Sequence, residues 1–500
     1  MTEAAALDAV TTTGGRVVGI AREKHLAFLG IPYAKAKRFG VPQASDGWSG
    51  VRRADTIGLA APQATHPIPG FSASGPQGED CLNLNVFTPA ADDKRRPVMF
   101  WIHGGGFTHG AGYEPLYNGG PLCVRGDVVL VTINYRLGAL GFLRVPEIGA
   151  AGNQGLLDCV AALEWVRDNI LGFGGDPDQV TIFGESAGSA AVGCVLGMPA
   201  ARGLFKRAIM ESGAGRAATP ETSNKIADAM LKELGLDRSK VRELLSIDTR
   251  EIVRAQQVVQ QSFATGTARG FGPVKDPEVV PDEPIAMVRG GSAKAIDIII
   301  GTTRDENKLF VPPRREPISD AALVDALSAT VRAKDKAAVQ ALVETYRASR
   351  AAKKLPTDNL DIFDAVATDM RFRMPSLKLA LNQRAAGGKA YVYLFTHASP
   401  ARRGALGSCH ALELPFVFGT LNAPTQDRFA GTGEDVERLS RDMMDAWLAF
   451  ARAGNPAATA LGTWSAYDDA KRPTMVFDTK FSRQEDDPFG EERRALEALI

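Results

Sequence analysis

Ser186 lies in Gly184-Glu185-Ser186-Ala187-Gly188, directly after the apolar run Val180–Phe183 and before the small residues Ser189, Ala190 and Ala191. G-x-S-x-G in that setting is the pattern of a nucleophile elbow, a tight strand-to-helix turn that lifts a serine hydroxyl clear of a sheet. Side chains two residues either side of the serine would collide in such a turn, and glycine removes them. The helix that follows aims its N-terminal amides at the hydroxyl, where they favour developing negative charge. A second feature, "WIHGGGF" at Trp101–Phe107, also closes an apolar run. Its successive glycines let several N–H groups converge on one point, as an oxyanion requires. No G-x-x-x-x-G-K-[ST] follows and no G-x-G-x-x-G opens a helix, so these glycines do not read as a nucleotide cradle.

A serine nucleophile needs a base, and the base needs an acid to orient it. In the chain order Ser, acid, His that accompanies an elbow serine, only His397 and His410 qualify as the base, since His25, His66, His103 and His109 precede Ser186. His397 follows the apolar run Ala390–Phe395 by two residues and reads as a strand-end residue. His410 lies in the loop "GALGSCHALELPFVFG", better suited to reach across the top of a sheet. His103 reads as a support for the glycine loop. The acid belongs on a loop after an intervening strand, where Asp305 and Glu306 stand side by side; spacing does not choose between them.

The elements that must hold these groups are legible as continuous apolar runs: Pro97–Ile102, Val128–Tyr135, Val180–Phe183, Ala295–Gly301 and Ala390–Phe395. Runs without polar alternation belong to parallel strands covered on both faces by helices. Leu156–Ile170 has a helical pattern and separates the second run from the third, as a right-handed crossover demands. The segment around Gly14-Gly15 and "LAFLGIPYA" reads as antiparallel hairpins. Stretches near 221–260 and 316–350, rich in Ala, Leu, Lys and Glu, read as helical insertions; in the first, Ile226, Met230 and Leu234 share a face and Gly235 is a C-cap. No repeat or linker interrupts the chain. The expectation is one α/β domain over 1–500 with a mostly parallel sheet.

Composition narrows the partners. Lys plus Arg and Asp plus Glu are 58 each, a zero formal charge that argues against nucleic acid and anionic membrane surfaces. No apolar run approaches the ~18 residues of a membrane span, and the start of the chain lacks the basic, apolar and cleavage regions of a secretory signal. Five cysteines at wide spacings, without C-x-x-C, predict neither a disulfide framework nor a metal site, and a reducing cytoplasm fits them.

Several separate motifs resemble the type-B carboxylesterase family, which includes the cholinesterases and the bacterial p-nitrobenzyl esterases. They are "EDCLNLNVFTP" (Glu79–Pro89), "HGGGF", "NYRLGALGFL" (Asn134–Leu143), "GNQGLLD" (Gly152–Asp158), "FGGDP" (Phe173–Pro177), "TIFGESAG", "TTRDEN", "CHALELPFVFG" and "FARAGNP" (Phe450–Pro456). The resemblance runs from about Gly14 to Asp478 and implies an α/β-hydrolase fold and a serine carboxylic-ester hydrolase that needs no cofactor or metal. It implies Ser186 as nucleophile, Glu306 as acid and His410 as base, with the N–H groups of Gly105, Gly106 and Ala187 as oxyanion hole. Phe107, Phe271, Leu309 and Phe310 are implied to line an apolar pocket, and Ser212 and Asp369 a second hydrogen-bonding layer around His410. Such a pocket favours small uncharged aryl or short-chain alkyl esters. A carbamate or amide hydrolase on the same triad is the alternative chemistry. A non-catalytic binding protein on the same fold is the alternative class, against which the filled triad positions speak. Three departures stand out. Asn307 follows Glu306 where the family usually has glycine; Asn tolerates left-handed backbone angles better than most residues, so the turn is expected to survive there. Ala61 stands before Pro62-Gln63 in place of a cysteine, which leaves Cys81 unpaired. The loop Pro69–Cys81 lacks the tryptophan on which cholinesterases seat a quaternary ammonium.

Overall fold

Eleven strands form one sheet: β1 (Ile20–Ala21), β2 (Leu26–Pro32), β3 (Asn83–Thr88), β4 (Arg96–Ile102), β5 (Val129–Ile133), β6 (Gly175–Glu185), β7 (Arg207–Glu211), β8 (Asp297–Thr303), β9 (Ala390–Phe395), β10 (Pro473–Phe477) and β11 (Ser482–Asp486). They come from a computed structural model that describes residues 8–66, 68, 70–263, 270–312 and 315–500. Residues 1–7, which begin the N-terminal segment, and Pro69, which opens the loop to Cys81, lie outside the described residues. The order across the sheet is β11-β10-β9-β8-β7-β6-β4-β5-β3-β2-β1. Pairing is parallel from β5 through β10 and antiparallel at both margins. Every residue of β5, β7, β9 and β10 is buried, as strands covered on both faces require.

The path of the chain makes a site where two strands diverge. From β4 it steps to β5 on one side; helix α1 (Gln154–Asn169) then carries it back across β4 to β6, and it continues to β7 on the other side. The C-terminal ends of β4 and β6 are neighbours, with Ile102 opposite Gly184. Loops leaving in opposite directions from adjacent parallel strands open a crevice there. The glycine loop leaves β4 at this point, and the Ser186 turn leaves β6 into helix α2 (Ala187–Val195).

The stretches near 221–260 and 316–350 are both helical, with Pro220–Glu233 and Thr249–Phe263 in the first and Asp320–Val331 and Lys336–Ala352 in the second. Side chains of Thr219 and Ser319 cap two of them by accepting from Thr222 N–H and Ala322 N–H, and Gly235 follows the first helix at φ 72°. Three interior strands, β3, β7 and β10, were not legible as apolar runs. In β7 the reason is visible: charged residues stand at both ends of "RAIME", and both find partners inside. Arg207 Nη1 donates to Ala451 O (2.9 Å), and Glu211 Oε1 accepts from Trp447 Nε1 (2.7 Å). All five cysteines are buried and free.

Beneath the glycine loop, the segment after β5 is locked by a buried ion pair. Arg136 Nη2 and Nε meet Asp158 Oδ1 and Oδ2 at 2.6 and 2.8 Å, and Arg136 Nη1 donates to Gly40 O at 2.6 Å. Asp158 is fully buried in α1. Removing one partner strands the other charge in a medium that cannot solvate it. Asp158→Ala is therefore expected to lower the unfolding free energy by about 3–5 kcal/mol, read by urea denaturation; a loss below about 1 kcal/mol would show the pair to be dispensable.

Candidate active site

Ser186 has φ 55° and ψ −117°, a conformation that costs an L residue about 1–3 kcal/mol and persists only where its surroundings impose it. Its N–H donates to Glu211 O on the neighbouring strand (2.9 Å), and its C=O accepts from Ala190 N–H (2.9 Å) as the first bond of α2. A Cβ at Gly188 would collide with the Ile102 carbonyl oxygen, so only glycine lets α2 pack this close to the end of β4.

The glycine loop meets the serine from the side. A Cβ at Gly104 would lie 2.9 Å from Glu185 Oε2 and 3.2 Å from Ser186 Cβ, so the loop backbone touches the turn. Gly105 and Gly106 have φ 105° and 64°, and among the described residues their amides have no acceptor. The loop is held from below. His103 Nδ1 lies 2.8 Å from Gly104 O, Tyr135 OH donates to His103 O (2.9 Å), and Gly138 N–H donates to Phe107 O (2.7 Å). Burial pushes the His103 pKa down to about 4, so the ring is neutral at neutral pH.

Across the crevice, His410 Nδ1 lies 2.5 Å from Glu306 Oε2, and Glu306 Oε1 accepts from Thr303 N–H (2.9 Å). Both residues are buried. The neighbouring acid is otherwise employed. Asp305 Oδ2 accepts from Ser408 N–H (2.9 Å), the Asp305 N–H donates to Ser408 O (2.8 Å), and Arg304 and Arg350 pair with its carboxylate. Burial opposes its charge, yet Arg304, Lys308 and Arg350 hold the carboxyl well below the usual range. Asp305 thus clamps the loop that carries His410. His397, the other candidate base, is tied to Ala430 O (2.8 Å) and Thr479 Oγ1 (3.2 Å).

His410 Nε2 has Glu185 Oε1 at 2.9 Å, off the N–H axis, and no aligned bond joins it to Ser186 Oγ among the described residues. Burial works against an imidazolium here, but Glu185 and Glu306 outweigh it and push the His410 pKa up to about 10. Glu185 is itself pushed up, by burial first and also by Glu306. A proton on Glu185 removes a charge that supports the imidazolium, so the two groups titrate as a unit.

Other expected residues divide. Phe310, 43% exposed, sets its ring 4.9 Å from His410. Phe107 lies at the end of the glycine loop, against Phe142. Phe271 and Leu309 are packed into separate parts of the core. Ser212 reaches the His410 region through Glu413, to whose Oε1 it donates (3.1 Å). Asp369 does not join that layer through any bond to His410. It lies on a π-helical turn, Asp369–Arg373, where Tyr346 OH (2.7 Å) and Arg373 Nη1 (3.1 Å) take its Oδ2. Asn307 departs from the left-handed expectation too: it sits in a right-handed 3₁₀ turn and works through its side chain, donating to Asp364 Oδ1 (2.8 Å).

Three contributors were missed. Phe372 packs its ring 5.0 Å from His410; nothing local marks it in the sequence. Glu185 and Glu413 were within reach, as the residue before the serine and the third after the histidine. Burial, then Glu306 and Glu185, pushes the Glu413 pKa up to about 8. Because Glu185 supplies one of the two charges raising His410, Glu185→Gln is expected to make the imidazole titrate about 1–3 pH units lower, followed by NMR of labelled histidine. An unmoved titration would show that Glu306 alone sets it.

With the site assembled, its relatives are informative. The carboxylesterase family model matches residues 6–494. Para-nitrobenzyl esterase of Bacillus subtilis is 38% identical over 97% of this chain and 98% of its own. Acetylcholinesterase of Bungarus fasciatus is 34% identical over 93% of this chain and 82% of its own. Among solved structures, a Geobacillus stearothermophilus carboxylesterase at pH 6.2 superposes with a TM-score of 0.85 at 39% identity, covering 98% of this chain and 99% of that one. The sheet is that of an α/β hydrolase, and the chain belongs to the carboxylesterase family as a serine carboxylic-ester hydrolase.

Proposed function

We propose that Ser186 is the nucleophile, His410 its general base, Glu306 the acid that orients the imidazole, and the N–H groups of Gly105, Gly106 and Ala187 the oxyanion hole. The observations that carry this reading are the 2.5 Å His410–Glu306 pair and His410 Nε2 2.9 Å from Glu185, the residue before a serine held at φ 55°. His410 Nε2 takes the hydroxyl proton as Ser186 Oγ bonds to the ester carbonyl carbon. The carbonyl electrons move to oxygen, which the two glycine amides and the first amide of α2 receive. Glu306 keeps Nδ1–H in place and stabilises the imidazolium without taking its proton. The imidazolium then protonates the departing alcohol as the C–O bond breaks, leaving Ser186 acylated. Water repeats the sequence: His410 removes its proton, the hydroxide adds to the acyl carbon, and Ser186 leaves with the proton returned.

For the substrate we infer an apolar aryl or short-chain alkyl group next to the scissile bond. The exposed Phe310 ring and the Phe372 ring beside His410 support this, as does the absence of tryptophan from Pro69–Cys81. Five buried free thiols support a reducing, cytoplasmic setting.

A fluorophosphonate probe is expected to label the protein at Ser186 and to leave Ser186→Ala unlabelled; labelling that survives the substitution would remove Ser186 from the role. Glu306→Gln is expected to cut kcat roughly 10³–10⁴-fold with thermal stability retained. Near-normal turnover of p-nitrophenyl butyrate would transfer the acid's role elsewhere.

A further inference from the structure

The helix Lys336–Ala352 buries an apolar face that ends in a charge. Val339, Leu342, Val343 and Tyr346 fall on one side at helical spacing, and Arg350 continues that side in the last turn, 2% exposed. A guanidinium there forfeits its hydration and must recover it from partners inside the protein. Arg350 Nε donates to Pro356 O (3.2 Å), and Nη2 donates to Asp305 Oδ1 (3.3 Å). Two further acids line the same small cavity. Asp369 is bonded to Tyr346 and Arg373. Glu492, on the helix Gly490–Glu497, feels the Arg350 charge, but burial and Asp369 push its pKa up to about 7.

Asp305 links this helix to both halves of the acid–base pair. It precedes Glu306 in the chain, and it holds Ser408, two residues before His410, at two points. Its N–H donates to Ser408 O (2.8 Å), and its Oδ2 accepts from Ser408 N–H (2.9 Å). The loop comes this close because position 407 is glycine: at φ 56°, a Cβ there would lie 2.5 Å from Asp305 Oδ2. Arg304 Nε and Nη2 bond the same oxygen at 3.0 and 2.8 Å, while Oδ1 goes to Arg350. Without Arg350 the carboxylate is free to turn both oxygens to the Arg304 fork, the pairing a guanidinium favours. Ser408 N–H then loses its acceptor.

We propose that Arg350 is a positioning residue for the hydrolysis: through Asp305 it fixes the Ser408 end of the loop that sets His410 against Glu306. This rests on the Ser186, His410 and Glu306 reading above and extends it to a helix outside the site. The pairing of His410 with Glu306 tolerates little drift, since a displacement of about 1 Å can cost about 10²-fold in rate. His410 handles the proton in both formation and breakdown of the acyl-enzyme. A displaced imidazole therefore slows both halves together, and kcat falls while KM stays. An ion pair that merely held the fold would lower stability and leave the turnover of each folded molecule unchanged.

The test measures p-nitrophenyl butyrate hydrolysis per site labelled to completion by a fluorophosphonate, at a temperature where circular dichroism shows each variant folded. In Arg350→Met, kcat is expected to fall about tenfold or more, with KM within about twofold of the wild type's; a wild-type kcat overturns the proposal. Arg350→Lys keeps the charge but loses the planar fork, and a fall of about threefold is expected. Should the methionine variant not fold, the lysine variant decides, and an unchanged kcat there overturns the proposal equally. A double-mutant cycle identifies the route. In Asp305→Asn, where the ion pair is already gone, adding Arg350→Met is expected to change kcat by less than about twofold. A further tenfold loss would show that Arg350 acts elsewhere and overturn the proposal. The double variant leaves neither charge of the pair orphaned and is expected to fold. Turnover that persists in Ser186→Ala would bring down the underlying reading. A wild-type kcat in Arg350→Met, in an enzyme that Ser186→Ala silences, overturns the positioning role alone.

Discussion

Ser186 is held at φ 55° by contacts on every side, and much of the surrounding structure exists to impose that angle. Its amide is fixed to β7, its carbonyl begins α2, and α2 reaches β4 only because Gly188 has no side chain. The strand that takes the amide is anchored in turn, since Glu211 spends its side chain on Trp447 of the Glu434–Ala453 helix. Strain at one residue thus becomes a demand on the whole right half of the sheet, and the packed core can meet it because close-packed interiors yield little.

The turn also fixes an electrostatic problem. Glu185, Glu306 and Glu413 are buried around a single imidazole, and Glu211 is buried beside Glu185 and Glu413. They cannot all be ionised in a poorly solvated interior, and burial with mutual repulsion pushes Glu185, Glu211 and Glu413 upward. Glu306 accepts from the Thr303 amide through one oxygen and meets His410 with the other.

Adjacent acids, Asp305 and Glu306, illustrate how one short turn divides labour. Asp305 faces the backbone of the His410 loop and the arginines behind it; Glu306 faces the imidazole. The 3₁₀ turn that starts at Glu306 rotates successive side chains by about a third of a revolution. Neighbours in sequence therefore point to different partners, one fixing the loop's position and the other its chemistry.

Several things followed from the residues themselves. Continuous apolar runs gave five of the seven parallel strands, because a strand covered on both faces has no room for alternation. Gly184-x-Ser186-x-Gly188 and the three glycines after His103 marked where the backbone had to bend and approach closely, since those demands act within a few residues. His410 emerged from chain order and a loop long enough to cross the sheet. What sequence could not supply were relations between distant segments. Asp305 and Glu306 are equivalent until the fold decides which faces His410. Phe372 lies far along the chain from Ser186 and reaches the site only through the π-helical turn that also draws Asp369 away to Tyr346 and Arg373. Asn307 escapes the left-handed angle because its side chain has partners that only the folded helices bring near. Local sterics and solvation act over a turn or a strand and can be read in one dimension; the direction of a side chain depends on what the rest of the chain places opposite it.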